Sequence, residues 1–151
     1  MYIIASDHGG FELKEAIKRY LQERGIEVND SGTLNNESVD YPDYGEKVGR
    51  AVSRGEAEKG ILICGTGIGM SIVANKFPGV RAALVSDEFT ARMSKEHNNA
   101  NVLVMGGRTH SPEQACRMVA TWLDAEFEGG RHLKRLDKIT RLERELRDRR
   151  D

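Results

Sequence analysis

An α/β fold is what this chain predicts, and three observations carry the prediction. Five short, largely apolar runs recur along the 151 residues, at Tyr2–Ala5, Ile26–Asn29, Ile61–Cys64, Arg81–Val85 and Val102–Met105. Stretches with apolar residues at helical spacing separate them, so strand and helix alternate. Residues able to do chemistry gather just past the strands, at the edge where open α/β sheets hold their ligands.

The first strand, Tyr2–Ala5, runs through Ser6, Asp7, His8, Gly9 and Gly10 into a helix over Phe11–Arg24. Phe11, Leu13, Ala16, Ile17, Tyr20 and Leu21 give that helix one apolar face. Asp7 is a ready helix N-cap as well as a candidate functional carboxylate, whereas His8 in a glycine turn has less structural reason to be there. Gly25 suits a helix C-cap. Strand two, Ile26–Asn29, leads through the polar loop Asp30–Asn36 to Asp-Tyr-Pro-Asp-Tyr-Gly at 40–45. Pro42 fits a first helical turn and the helix is expected over Tyr44–Arg54. Tyr41 is then a loop residue, either projecting over a ligand or packed against the helix.

The stretch Ile61–Asn75, ILICGTGIGMSIVAN, is chemically the densest. Ile61–Cys64 reads as a strand buried on both faces, and Gly65–Gly69 as a strand-to-helix loop with Gly65, Gly67 and Gly69 on alternate positions. A helix follows from Met70 and is cut short by Pro78 and Gly79. Glycines let the main chain approach a ligand, and the helix N-terminus adds partial positive charge, so the loop suits an anion or oxyanion. Cys64 stands at its edge.

Strand four, Arg81–Val85, precedes a helix at Glu88–Glu96, after which His97, Asn98 and Asn99 crowd the turn before strand five. A histidine closing a helix also serves simply as a cation at the negative end of the dipole. Gly106, Gly107 and Arg108 follow strand five. Ser111 with Glu113 or Gln114 caps a helix whose Ala115, Met118, Val119 and Trp122 are core positions. Beyond Gly129 and Gly130, the tail Arg131–Asp151 reads as a charged helix with a thin seam of Leu133, Leu136, Ile139, Leu142 and Leu146. Such a seam packs more readily on a partner subunit than on its own domain, so a homodimer is expected, with a tetramer also open. Arg131 and Arg135, one turn apart, can grip a phosphate.

A formal net charge of −1 gives no bias toward nucleic acid or membrane surfaces. No apolar run approaches the roughly 20 residues that span a bilayer, and the first residues lack a signal-peptide pattern, so one domain over 1–151 in the cytoplasm is expected. Cys64 and Cys116 lack CxxC spacing, which favours reduced thiols, with Cys116 in the core.

Two readings of the glycine loop compete. A strand, a GxG pair and Asp87 roughly 20 residues later imitate a dinucleotide fingerprint. The third glycine of that fingerprint would fall at Met70, while Gly69 comes one residue early, and the following helix is short. The other reading uses the outlying polar residues together: a thiol, a backbone anion hole, Asp7 and His8, His97, and Arg108, Arg131 and Arg135. That set suits proton abstraction beside the carbonyl of a small phosphorylated sugar. A metal site from Asp7, Cys64 and His97 lacks any local spacing signature. A binding module for sugar phosphates or nucleotides, without turnover, is the non-enzymatic alternative.

SDHGG, DYPDY, GILICGTGIGMSIVANK, EHNNANVL and GGRH, in that order, resemble the ribose-5-phosphate isomerase B family, which includes the galactose-6-phosphate isomerase subunits. The resemblance covers all but the last charged residues of the tail. It implies a three-layer α/β/α sandwich around a five-stranded, Rossmann-like parallel sheet, and a dimer whose active sites are shared between subunits. It implies ribose 5-phosphate and ribulose 5-phosphate as substrates, with allose 6-phosphate or galactose 6-phosphate as the hexose alternative, and no cofactor. Cys64 would be the base moving a proton between C2 and C1 through a cis-enediolate, and Asp7 and His97 would open the furanose ring. Amides of Thr66 and Gly69 would hold the enediolate oxygen. His8, Arg108, Arg131 and Arg135 would bind phosphate, while Tyr41, Gly65, Gly67 and Asn98 would line the sugar site. Some members lack the cysteine and carry a glutamate at the position of Met70, so here Cys64 has no competitor in the loop.

Overall fold

A computed structural model describes residues 1–149. Its strands are β1 (Tyr2–Ser6), β2 (Val28–Asp30), β3 (Lys59–Cys64), β4 (Ala82–Leu84) and β5 (Val102–Gly106). They form one sheet in the order β2-β1-β3-β5-β4, and every pairing is parallel. Among the described residues the α-helices are α1 (Phe11–Glu23), α2 (Tyr41–Ser53), α3 (Ile68–Ala74), α4 (Glu88–Glu96), α5 (Pro112–Asp124) and α6 (Arg131–Asp148).

Period-two alternation along the central strands divides the core in two. Ile4, Ile61, Ile63, Leu103 and Met105 are buried with Leu13 and Ile17 of α1, Ala91 of α4, and Met118 and Trp122 of α5. Ile3, Ala5, Leu62, Cys64 and Val104 are buried on the other face with Val48 and Val52 of α2 and Met70 and Ala74 of α3. The result is the expected three-layer sandwich, with both faces of the parallel sheet covered. Burial of each large side chain contributes about 1.5–3 kcal/mol.

Several boundaries differ from the sequence reading, three of them with consequences for the residues singled out above. α2 starts at Tyr41, with Asp40 extended before it and Pro42 in the first turn, so Tyr41 is helical and not a loop residue. Proline's fixed φ suits that turn, and the chain enters the helix as soon as it can. α3 starts at Ile68, because Gly67 takes the left-handed conformation (φ 83°) and turns the chain two residues before Met70. β2 is shifted to Val28–Asp30, where it pairs with Tyr2, Ile3 and Ile4. The Ser111–Gln114 capping box forms as predicted at the start of α5.

The tail helix is observed over Arg131–Asp148, and Arg150 and Asp151 of the predicted helix lie outside the described residues. Leu136 packs down, 8 % exposed, while Leu133, Ile139, Leu142 and Leu146 stay 49–62 % exposed. Glu143 accepts the Gly79 N–H at 2.9 Å, which fixes the helix beside the start of β4. A groove of about 630 Å³ lies between them, lined by Ala82, Ala83, Asn98, Ile139, Leu142 and Leu146. No helix among the described residues is long and apolar enough to cross a membrane.

Topology now sorts the candidate residues. Each helix after a strand returns the chain to the opposite edge of the sheet, where the next parallel strand begins. Asp7, His8, Cys64, Gly107 and Arg108 therefore sit at the carboxyl edge. His97, Asn98 and the start of α6 sit at the amino edge, separated from them by a five-residue strand, roughly 16 Å at about 3.3 Å per residue.

Candidate active site

The carboxyl-edge cluster occupies the crevice between β1 and β3. There the strand order reverses, since the chain leaves β1 toward β2 on one side and β3 lies on the other. Asp7 is 8 % exposed and its Oδ1 accepts the Gly10 N–H at 3.2 Å, capping a 3-10 turn at His8–Gly10. Capping is thus part of its role. His8 Nδ1 accepts the Val39 N–H at 3.2 Å, tying down the loop before α2. That bond leaves Nε2 as the ring's N–H donor.

Cys64 ends β3, 5 % exposed, and its Sγ accepts the Gly67 N–H at 3.2 Å. The Ile68 N–H goes to Thr66 Oγ1 at 3.3 Å. The amides of Thr66 and Gly69 make no bond to other described residues, so they remain as paired donors beside the sulfur at the α3 N-terminus. Tyr41 comes to this loop from α2: a Cβ at Gly69 would strike its ring. Arg108, exposed, lays its side chain along Gly65, and its own N–H donates to the Gly65 carbonyl at 3.0 Å. A Cβ at Gly107 would collide with the Gly9 carbonyl oxygen, so the turns after β1 and β5 touch through backbone alone. Cys64, Gly65, Thr66, Gly67, Gly69, Tyr41, Arg108, Asp7 and His8 are in this way gathered into one cluster.

The amino-edge cluster is made of side chains. His97 caps α4 at its C-terminus and stacks on His132, with ring centroids 4.1 Å apart and planes 13° from parallel. His132 is 6 % exposed, and its Nε2 lies 3.5 Å from Glu128 Oε2. Loss of hydration, then the neighbouring His97 and Arg131, hold His132 below the ordinary imidazole range. Arg131 and Arg135 stand exposed on the first turns of α6, and Asn98 is exposed beside them on the groove. His132 and Glu128 were not singled out from sequence. Their i,i+4 spacing, and the place of His132 in GGRH, were the available signals.

Within one chain the two clusters are not brought together. A metal site from Asp7, Cys64 and His97 is accordingly ruled out in the protomer, because His97 lies on the other edge of the sheet.

The sequence pattern of the ribose/galactose isomerase family matches residues 2–139. The chain belongs to that family. Both clusters, including Arg131, His132 and Arg135, fall inside the matched region, and the outer part of the α6 seam, Leu142 and Leu146, falls beyond it. Ribose-5-phosphate isomerase B of Escherichia coli is 50 % identical over 137 residues, 91 % of this chain and 92 % of that protein. The structure of the Clostridium thermocellum ribose-5-phosphate isomerase B superposes with a TM-score of 0.93 at 54 % identity, covering 97 % of this chain and 99 % of the other. The Mycoplasma genitalium ribose-5-phosphate isomerase B, solved with ribulose 5-phosphate bound, gives 0.92 at 43 % identity over 95 % and 96 % of the two chains. Membership of the ribose/galactose isomerase family thus rests on nearly the whole chain, and the α/β sandwich is the family's fold.

Proposed function

We propose that this protein is a single-domain, cytoplasmic aldose–ketose isomerase that interconverts ribose 5-phosphate and ribulose 5-phosphate without a cofactor. The observation that carries the reading is Cys64 at the end of β3 beside the unpaired amides of Thr66 and Gly69. The names of the relatives point to the same substrate.

In this reading the Cys64 thiolate takes the C2 proton of the open-chain aldose. The C2–H electron pair forms the C1–C2 double bond, and the carbonyl oxygen becomes an enediolate oxygen facing the Thr66 and Gly69 amides. Donors aimed at developing charge are worth about 10²–10³ in rate each. The proton then returns to C1 while the C2 hydroxyl gives its own proton to the enediolate oxygen on C1 and becomes the ketone. Asp7 and His97 open the furanose ring first by moving a proton to the ring oxygen and taking one from the C1 hydroxyl. Tyr41, Gly65, Gly67 and Asn98 border the sugar, and His8 Nε2, Arg108, Arg131 and Arg135 bind the phosphate.

Such a site needs two copies of the chain. Asp7, His8, Tyr41, Cys64, the glycine loop and Arg108 come from one subunit's carboxyl edge, and His97, Asn98, Arg131 and Arg135 from the other's amino edge. The half-exposed α6 seam supports a homodimer, since a monomer would leave it in water. The direct assay is purified protein with ribose 5-phosphate and EDTA, followed by ketose formation. Turnover under those conditions is expected; binding without turnover, or turnover that requires added metal or nicotinamide cofactor, overturns the reading. Relative rates on ribose 5-phosphate, allose 6-phosphate and galactose 6-phosphate fix the sugar length.

A further inference from the structure

The amino-edge cluster contains a residue to which the proposed reaction gives no role. His132 is buried at the second position of α6, flat against His97, with Glu128 at its far nitrogen. Backbone bonds hold every member of this group. The Glu128 N–H donates to the Glu96 carbonyl at 3.0 Å, the His132 N–H to Gly129 at 3.0 Å, and the His97 N–H to Met93 at 2.9 Å.

Two simpler accounts fail. The donor atoms of His97, Glu128 and His132 lie within 4.8 Å of one another, which invites a metal. An imidazole ligates in its ring plane at about 2.0–2.1 Å. Parallel rings aim their lone pairs along parallel planes, so an ion between them would lie outside both. A plain core residue is the second account. An apolar side chain fills such a space more cheaply than a ring whose nitrogens lose water. A buried imidazole stacked flat on a second ring is arranged for orientation, since the terminal χ2 torsion of a histidine is otherwise broad.

We propose that His132 is a positioning residue for His97: buried at the start of α6, its ring is the platform that holds the His97 ring at the angle needed for proton transfer to the furanose oxygen. The proposal rests on the ring-opening role of His97 given above. Loss of hydration disfavours a charged ring at His132 beside its stacked neighbour.

The test is a kinetic double-mutant cycle on the full-length protein with ribose 5-phosphate, using His97→Ala, His132→Ala and the double variant. Misorientation of a catalytic group costs up to about 100-fold, so His132→Ala is expected to lower kcat at least tenfold. KM should stay within about twofold, because the phosphate ligands are untouched. In the His97→Ala background the second substitution should change nothing, since a residue that acts through His97 has nothing left to orient. His132→Phe keeps a flat ring and should retain most of the kcat that His132→Ala loses. Unchanged kcat in His132→Ala, or losses that multiply in the double variant, overturn the proposal while leaving His97 in place. Full activity of His97→Ala is a different failure, because it removes the ring-opening reading itself. If His132→Ala does not fold, His132→Leu, which fills the space without a flat ring, decides: a kcat loss that vanishes in the His97→Ala background supports the platform, and an unchanged kcat overturns it.

Discussion

The two edges of the sheet contribute the two halves of the proposed site, and they are made of different material. At the carboxyl edge the groups aimed at the reacting carbons are mostly backbone. The amides of Thr66 and Gly69 flank the start of α3, and the turns after β1 and β5 meet through Gly9 and Gly107, where a Cβ at Gly107 would strike the Gly9 carbonyl. At the amino edge the groups are side chains on helix ends: His97 closing α4, and Arg131 and Arg135 opening α6. The backbone half is fixed as soon as one chain folds. The side-chain half projects at the start of a helix whose apolar seam is still half in water. In the proposed reaction, charge stabilisation thus falls to backbone held by one chain's fold, and ring opening and phosphate capture fall to side chains that a second subunit would bring in.

The comparison meets its largest test at Cys64. If Cys64 is the general base as proposed, Cys64→Ala should cost about 10³–10⁴ in kcat. Ribose 5-phosphate binding, measured by calorimetry, should persist, because the amides and the phosphate ligands remain. Cys116→Ala is the control: its thiol packs against the core and lies 3.8 Å from the Ala16 carbonyl, away from the glycine loop. Equal rates for wild type and Cys64→Ala would remove the thiol from the mechanism.

The separation of the halves is broken most directly by complementation. Cys64→Ala and His97→Ala proteins, each nearly inactive, are unfolded together and refolded as a mixture. If the halves come from different subunits, half of the dimers are mixed and each restores one of two sites, so about a quarter of wild-type activity should return. If both halves serve one chain's site, the mixture stays as inactive as its parents.

Arg135→Ala probes the side-chain half alone. A lost charge-assisted hydrogen bond is worth about 1.5–3 kcal/mol, so KM should rise about tenfold or more with kcat nearly unchanged. An equal fall in kcat would mean that Arg135 acts on the reacting carbons and not on the phosphate.

Legibility from sequence followed the same division. Strand positions, the glycine loop and the residues just past each strand were readable because period-two burial and glycine placement are local signals. The finer geometry was not. Tyr41 was expected on a loop, but Pro42 in the first turn draws it into α2, from which it reaches Gly69. α3 begins two residues early because Gly67 turns the chain by adopting positive φ, which a one-dimensional pattern does not place. Within a charged helix only its place in GGRH marks His132; the return of α6 across the amino edge is what stacks it on His97. That His97 and Cys64 lie on opposite edges follows from parallel connectivity alone.

The smallest expected effect on catalysis comes from a charged group close to the carboxyl edge that belongs to the frame and not to the site. Lys14 is fully buried, and its Nζ lies 2.5 Å from Asp30 Oδ2 at the end of β2, with Lys18 at 2.9 Å from the same oxygen. Burial alone would raise the Asp30 carboxyl, but hydrogen bonds from Lys14, Lys18 and the Gly32 N–H outweigh it and hold it below the usual carboxylate range. A carboxylate depressed on folding contributes stability that is fully present above its unfolded value, about 3.9, and is lost as pH falls through the lower folded value. Asp30→Asn should therefore destabilise the protein by roughly 2 kcal/mol at pH 7, and the gap to wild type should close as urea titrations are repeated toward pH 3. With the glycine turns intact, kcat should stay within about twofold. A gap that ignores pH would show that Asp30 acts by packing and not by charge. A large fall in kcat at unchanged stability would show that the carboxyl edge is not the rigid half that the contrast with the amino edge requires.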